Sequence, residues 1–190
     1  VHVFIRGNPG NRGPDAPRKF LTVLSSPDAK PYSNGSGRLE LAQSITSKEN
    51  PLTARVFVNR IWRHHFGNGI VRTPSDFGFR GDAPTHPELL DWLAYKFMDT
   101  GWNIKAMQKL IVTSSTYKLS STPNPGLNNV DPENRLLSHA NRRRLDLEQT
   151  RDSVLTASGS IDFNVGGKSV ELTTEPHTTR RSVYGFIERQ

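Results

Sequence analysis

The spacing of apolar residues between positions 50 and 66 constrains this fold more than any other feature of the sequence. Apolar side chains recur there every three or four residues, as they do on the buried face of an α-helix. Asn50 and Pro51 supply a helix start, with Asn50 as the N-cap, and Gly67 and Gly69 end the helix. We expect one face to bury Ala54, Phe57, Val58, Ile61, Trp62, His65 and Phe66, and the other to expose Asn59, Arg60 and Arg63.

A capping box predicts the start of a second helix. In this motif the Thr85 side chain accepts a hydrogen bond from the amide of Glu88, and the Glu88 side chain bonds back to the start of the helix. The helix is predicted to end before Gly101 and to bury Leu89, Leu90, Leu93, Ala94 and Phe97.

Three shorter segments are also predicted to be helical. Residues 38–46 are expected to form a helix that buries Leu41, Ala42 and Ile45. Asn103 is expected to cap a helix with four inward-facing side chains, Ile104, Met107, Leu110 and Ile111. A last helix, near residues 146–158, carries Leu147, Val154 and Leu155.

Both ends of the chain alternate apolar and polar residues as strands do. Because a lone strand would leave its backbone unpaired, the strand near Val3 is predicted to pair with the strand near Val183. Residues 7–37 are rich in turn-forming residues and should form an extended surface loop, residues 38–159 a helical core, and residues 160–190 a loop with the terminal strand. The sequence therefore predicts a mainly α fold, with four to five helices and a minor β-sheet, in a single partial domain over residues 1–190 that is truncated at its C-terminus.

Composition excludes several classes of function. The chain has no Cys, which removes thiol catalysis, haem attachment through Cys and most structural zinc sites, and we expect no cofactor within it. No apolar run approaches the roughly 20 residues that span a bilayer. The net charge of +7, with Arg more frequent than Lys, favours an anionic partner, although a surplus spread evenly over the surface is the alternative. Nucleic acid is the least favoured partner, because charge alone supports it.

Long motifs in this chain resemble the domain of unknown function numbered 1553. The resemblance rests on residues 50–67, which include Asn59-Arg60-Ile61-Trp62, and on residues 69–73, 76–78, 85–93, 111–117, 131–137, 142–145 and 180–184. It implies a position near the C-terminus of large planctomycete or verrucomicrobial proteins, which commonly carry a secretion signal and a cytochrome-c-like domain. The resemblance therefore implies an extracytoplasmic setting, periplasmic or at the cell surface, with other domains of the parent protein as partners, and it implies no known reaction.

Four polar side chains are candidates for a catalytic site. We expect His65, Asp76 and His86 to converge after the helix of residues 50–66, with Arg60 or Arg55 nearby. A carboxylate beside an imidazole would fix its tautomer and raise its basicity. The alternative is a core His65 whose nitrogens are hydrogen-bonded, and a His86 that supports the helix start. No metal site is predicted, because adjacent His64 and His65 cannot face one ion from a helix.

Arginines are the candidates for ligand binding. Arg142, Arg143 and Arg144 directly precede a helix whose first turn holds Asp146 and Glu148, so local pairing and an anion clamp are both possible roles. Arg55 is the fourth candidate. Asn34-Gly35-Ser36 matches a glycosylation sequon by letter only.

The sequence is compatible with two functions. The first is a non-catalytic structural or anionic-glycan-binding module of a larger secreted multidomain protein, and it is favoured by the family context and the excess of Arg. The second is a hydrolytic or metal-assisted enzyme domain acting in polysaccharide breakdown, and it is favoured by the many polar residues in the most recognisable motif.

Overall fold

A computed structural model describes residues 2–123, 125–127 and 129–187. Within these residues the strands are β1 (His2–Phe4) and β2 (Arg12–Asp15), and the helices are α1 (Arg38–Thr46), α2 (Thr53–Phe66), α3 (Pro87–Asp99), α4 (Ile104–Val112) and α5 (Leu147–Ala157). The prediction of a mainly α fold with a minor sheet is confirmed. The chain forms two compact units, Val1–Asn141 and Arg142–Gln190. The prediction of a single domain stays a prediction.

The small sheet differs from the one expected. Strand β1 runs antiparallel to β2, with His2 opposite Asp15. The predicted pairing of the Val3 strand with the Val183 strand is wrong, because Ser182–Tyr184 is a single 3-10 turn. A hairpin within the first fifteen residues satisfies the backbone of β1 locally, which is why a distant partner is not needed.

The hydrophobic core of the first unit lies where α2, α3 and α4 pack together. All thirteen buried apolar residues of the described chain lie between Ala54 and Ile111. Phe97 of α3 stacks on Phe57 of α2 with ring centroids 5.0 Å apart, and Trp102 meets Phe97 edge-on at 5.3 Å. The predicted inward residues of α3 are confirmed, with Leu89 only partly buried.

Several helix starts and faces differ from the prediction. Asn50 is not the N-cap of α2: its Oδ1 accepts from the Leu52 amide at 3.0 Å, and α2 begins at Thr53. The Thr85–Glu88 capping box is wrong as well, because the Thr85 hydroxyl bonds to the Ile70 carbonyl and α3 begins one residue later than a Thr85 cap requires, at Pro87.

Helices α1 and α4 bury less than predicted. Helix α1 buries no side chain, and Ile104 and Leu110 of α4 are exposed. The Asn103 cap is confirmed, with its Oδ1 accepting from the Ala106 amide at 3.0 Å.

Candidate functional site

Asn59 is the polar centre of the helical core, and its predicted outward position is wrong. Its side chain is 0% exposed, and it exchanges two hydrogen bonds of 2.9 Å with the backbone N–H and carbonyl of Val71. The physical reason lies in the helix period. Asn59 and Phe66 are seven residues apart and share a face, so the buried arc is wider than apolar residues alone indicate.

The turn after α2 brings the chain back against Asn59. A Cβ on Gly69 would lie 2.5 Å from the Val71 carbonyl oxygen and 2.7 Å from the Asn59 amide group. Only glycine fits at this position, because the Cβ of any other residue would overlap these atoms. Gly69 therefore lets residues 69–71 lie directly on α2. The motif residues Asn59 and Gly69 therefore have a structural role.

Asn134 organises a second polar loop of the first unit. It is 6% exposed, and its Nδ2 donates to the His139 carbonyl at 2.8 Å and to Asn141 Oδ1 at 2.9 Å. Its Oδ1 accepts from the Ser138 amide at 2.8 Å. Asn141 Nδ2 in turn donates to the Phe66 carbonyl at 3.2 Å, which attaches this loop to the end of α2. Asn134 also has a φ of 49°, a conformation that Asn tolerates better than most residues.

Asp131 begins the same loop and fixes its first turn. Its carboxylate accepts from the Arg135 and Leu136 amides at 2.8 and 2.7 Å. The Leu136 hydrogen bond is the main cause that lowers the pKa of Asp131 from its ordinary value, against desolvation, which raises it. Asp131 is thus charged at neutral pH and holds the turn as an acceptor.

A small polar cavity lies beside this loop, within the first unit. Its volume is about 20 Å³, enough for one water molecule. The lining side chains that can donate hydrogen bonds include Arg72, Thr85, His86, Arg135 and Asn141. Arg72 also pairs with Glu133 at 2.5 Å. The size of this cavity suits a bound water better than a substrate.

The predicted catalytic residues have separate partners in the structure. His65 is half-buried and meets the Tyr117 ring edge-on, with centroids 5.8 Å apart. The exposed Asp76 carboxylate accepts from the Gly78 amide at 2.9 Å, within its own turn. His86 Nδ1 lies 2.9 Å from the Thr85 hydroxyl. Arg60 is exposed on α2. In the part of the chain that the structure describes, no three His, Asp or Glu side chains form a group that could hold a metal ion.

Arg55 is engaged in an ion pair. Its Nε donates to Asp91 Oδ1 at 2.6 Å, and its Nη1 donates to the Pro51 carbonyl at 2.6 Å. The Arg55 hydrogen bond is the main cause that lowers the pKa of Asp91, with burial acting in the opposite direction. The pair joins α2 to α3 at the edge of a groove of about 490 Å³ that Leu52, Phe77 and Leu90 also line.

Arg142, Arg143 and Arg144 are exposed, and we call them the arginine run. Local pairing with Asp146 and Glu148 is wrong: among the described side chains, no carboxylate lies within 4.0 Å of these guanidinium groups. Asp146 instead caps α5, with its Oδ1 accepting from the Gln149 amide at 2.7 Å. Arg143 borders an open groove of about 1000 Å³ along α5. The arginine run is therefore available to an external anion.

The second unit is held together by polar contacts between α5 and residues 178–184. Arg151 Nη1 donates to the Arg180 carbonyl at 2.8 Å, and its Nη2 donates to the Thr178 carbonyl. Asp152 Oδ1 accepts from the Ser182 amide at 2.8 Å and from the Ser182 hydroxyl at 2.7 Å. These bonds replace the apolar contacts that usually attach a helix to its neighbours.

Arg180 fixes the glycine-rich loop before it. Its guanidinium donates to the carbonyls of Lys168 and Gly166 and lies 4.2 Å from the centroid of the Tyr184 ring. The Tyr184 hydroxyl accepts from the Gly166 amide at 3.1 Å. A cation over an aromatic face adds to the stability of such a contact. The motif of residues 180–184 thus has a structural role within its unit.

Acid is expected to release Ser182 from α5. Burial acts to raise the pKa of Asp152, but the two Ser182 hydrogen bonds and the charges of Arg151 and Arg181 outweigh it and hold that pKa below its ordinary value. A lowered folded pKa means that the contribution of Asp152 to stability is present above its unfolded pKa and is lost as pH falls through the folded pKa. Protection of the Ser182 amide, measured by hydrogen exchange corrected for intrinsic rates, should therefore fall as the pH is lowered below about 4, the ordinary pKa of an aspartate.

Asp152→Asn is the matched control for this prediction. The variant keeps an acceptor oxygen for Ser182 but does not titrate, so its Ser182 protection should lack this acid-dependent step. Protection that is equal in the two proteins at every pH would contradict the assignment.

Sequence reasoning missed Asn59, Asn134, Asp152 and Arg180. Their partners are backbone groups or distant side chains, which no local pattern displays. One available signal was the seven-residue spacing between Asn59 and Phe66.

Comparison with known proteins identifies the family. A family model described as a protein of unknown function (DUF1553), PSD1, matches residues 37–190. No curated protein and no solved structure matches the chain. None of the helices in the described residues is long and apolar enough to cross a membrane.

Proposed function

We propose that this chain, which belongs to the DUF1553 family of proteins of unknown function, is a non-catalytic interaction module of a larger secreted multidomain protein. In this proposal α5 packs against other domains of that protein, and the arginine run binds an acidic polysaccharide. The location is extracytoplasmic. The exposed apolar surface of the second unit is the observation that carries the proposal.

The second unit has almost no buried side chain of its own. Among residues 142–187, Ser182 is the one residue classed as buried, at 5% exposed. The large apolar side chains left exposed are Leu145, Leu147, Val154, Phe163, Val165, Val183, Phe186 and Ile187. Units of this size are marginal even with a full core, because burial of apolar surface is the dominant favourable term in folding. Further apolar contact from another domain would therefore stabilise this unit substantially.

Helix α5 presents the most regular part of this surface. Leu147 and Val154 are seven residues apart, share a helix face, and are 61% and 63% exposed. An exposed apolar stripe on a helix is typical of a face that packs against a partner. The polar contacts of Arg151 and Asp152 fix the orientation of α5 within its unit, so this face is presented in a defined position.

The arginine run supports the second part of the proposal. Its guanidinium groups are exposed and lack a carboxylate partner in the described part of the chain. Arginine forks match sulfate and carboxylate groups with two parallel hydrogen bonds. Acidic polysaccharides carry one such group or more at short intervals, and the net charge of +7 adds long-range attraction.

Removing the arginine run should weaken polyanion binding. Heparin and polygalacturonate serve as sulfated and carboxylated probes, and we expect weak binding at low salt that fades as salt rises, because charge drives it. The triple change Arg142→Ala, Arg143→Ala and Arg144→Ala should remove most of the binding, as measured by calorimetry or by elution from immobilised heparin.

A charge-matched control distinguishes binding by the arginine run from binding by the overall positive charge of the chain. Arg60→Ala, Arg63→Ala and Arg80→Ala together remove the same charge from exposed positions of the first unit. This variant should retain more binding than the first one. Equal losses of polyanion binding in the two variants would show that net charge, and not the arginine run, is responsible for binding. Binding that does not change with salt concentration would contradict its electrostatic basis.

A further inference from the structure

The sequence contains the dipeptide Asn-Gly twice, at Asn34-Gly35 and at Asn68-Gly69. In such a pair the glycine nitrogen can attack the side-chain carbonyl carbon of the asparagine. A C–N bond forms, the bond to the amide nitrogen breaks, and that nitrogen leaves as ammonia with the proton of the glycine N–H. Water then opens the succinimide ring at either carbonyl and yields aspartate or isoaspartate. Glycine favours the attack because it has no Cβ to hinder it.

The structure leaves the first pair open to this reaction. Asn34 and Gly35 are both exposed and lie in a turn closed by a hydrogen bond of 3.0 Å from the Gly37 amide to the Asn34 carbonyl. A Cβ on Gly35 would meet nothing within 4 Å, so the attacking nitrogen has free space around it. Neither the Gly35 N–H nor the Asn34 side-chain amide has a hydrogen-bond partner in the described residues.

At the second pair, Asn68-Gly69, packing hinders the reaction. Gly69 is buried, and a Cβ there would lie 2.5 Å from the Val71 carbonyl oxygen and 2.7 Å from the Asn59 side chain. The backbone at Gly69 therefore cannot rotate towards the Asn68 side chain without disrupting the core contact of Asn59. The same chemistry is blocked by packing at one site and unhindered at the other.

We propose that Asn34 is a site of spontaneous deamidation and isomerisation, and that its conversion loosens the segment that precedes α1. Glu40 of α1 accepts from the Ser33 and Asn34 amides at 3.0 and 3.1 Å. Arg18 donates to the Gly35 carbonyl at 2.7 Å. Conversion places a new carboxylate beside that of Glu40, and isoaspartate also adds a methylene to the backbone. Both changes act against the bonds that hold this turn to α1.

The experiment is incubation of the folded chain at 37 °C and neutral pH, followed by peptide mass spectrometry and enzymatic detection of isoaspartate. We expect the Asn34 peptide to convert and the Asn68 peptide to persist. In the urea-unfolded chain both peptides should convert, which shows that the fold makes the difference. Equal conversion of both sites in the folded chain, or conversion of Asn34 only after unfolding, would overturn the proposal.

Two variants and one further measurement complete the test. Gly35→Ala should lose most of the conversion. Asn34→Gln should do so without changing the glycine, because attack on its longer side chain would have to close a six-membered glutarimide ring, which forms much more slowly than the five-membered succinimide. Hydrogen exchange at the amides of residues 33–37 should become faster in the converted protein than in fresh protein. Unchanged exchange after full conversion would refute the loosening of the turn.

Discussion

Replacing Asn59 with Ala is expected to lower the free energy of unfolding by about 4 kcal/mol, because two buried backbone groups of Val71 lose their partners at once. Val71 is 2% exposed, so water does not reach its N–H and carbonyl to replace the lost bonds. Each unsatisfied buried group costs about 1–3 kcal/mol, and the cavity left by the removed amide adds to that sum. Such a loss is a large fraction of the stability of an ordinary domain.

The measurement is equilibrium unfolding in urea, monitored by the fluorescence of the three Trp residues, all of which lie in the first unit. The midpoint should fall while the dependence on denaturant stays unchanged, as for a change in stability alone. Arg60→Ala is the matched control, since Arg60 is the next residue, is exposed, and should change stability by less than about 0.5 kcal/mol. If Asn59→Ala destabilises no more than Arg60→Ala, Asn59 faces solvent as its polarity alone predicts, and the core described here is wrong.

Several features of the fold could be predicted from the sequence alone. Apolar spacing predicted that α2 and α3 are helices, and α3 buries the expected apolar residues. The end of α2 at Phe66 followed from Gly67. The Asn103 cap followed from a strictly local pattern, and it is confirmed. These features depend on interactions within a few residues, which a single sequence displays directly.

Features that depend on distant partners could not be predicted in this way. Thr85 forms no capping box, because its amide and hydroxyl both bond to the Ile70 carbonyl, fifteen residues earlier. Local sequence gives no sign of that partner. Helix α1 shows the same difficulty: its apolar spacing is right for a buried face, yet Leu41 and Ile45 stay exposed. Periodicity predicts that a face can be buried, and only the fold decides whether it is.

The candidate site also has features that the sequence predicted and features that it did not. The position of the arginine run before α5 was visible in the sequence, and its freedom from Asp146 and Glu148 was not, because the capping role of Asp146 depends on backbone geometry. The expected convergence of His65, Asp76 and His86 rested on the turn after Phe66. That turn exists, but it directs Val71 onto Asn59, and each candidate side chain has other contacts.

Packing of α5 against another domain is expected to slow its hydrogen exchange by about two powers of ten. Leu147 and Val154 still expose more than half of their side chains, so covering both should contribute about 3 kcal/mol. A helix with few buried contacts opens locally, and its amides then exchange readily. In the larger protein that we propose, the same helix should be protected by the added free energy, since each 1.4 kcal/mol is about a factor of ten.

A paired variant makes this expectation specific. Leu147→Lys with Val154→Lys should leave the melting temperature of the 190-residue chain nearly unchanged, because both side chains are already exposed. In the parent protein the same changes should remove the protection of α5. Leu93→Lys is the opposite control, since Leu93 is 2% exposed in the core and its replacement should destabilise the chain in either setting.

Hydrogen exchange of residues 147–157, compared between this chain alone and the parent protein, tests the proposed module most directly. The proposal predicts fast exchange in the chain alone, strong protection in the parent protein, and loss of that protection in the Leu147→Lys, Val154→Lys variant. Equal exchange of α5 in the two proteins would contradict the account, because its exposed face would then have no partner.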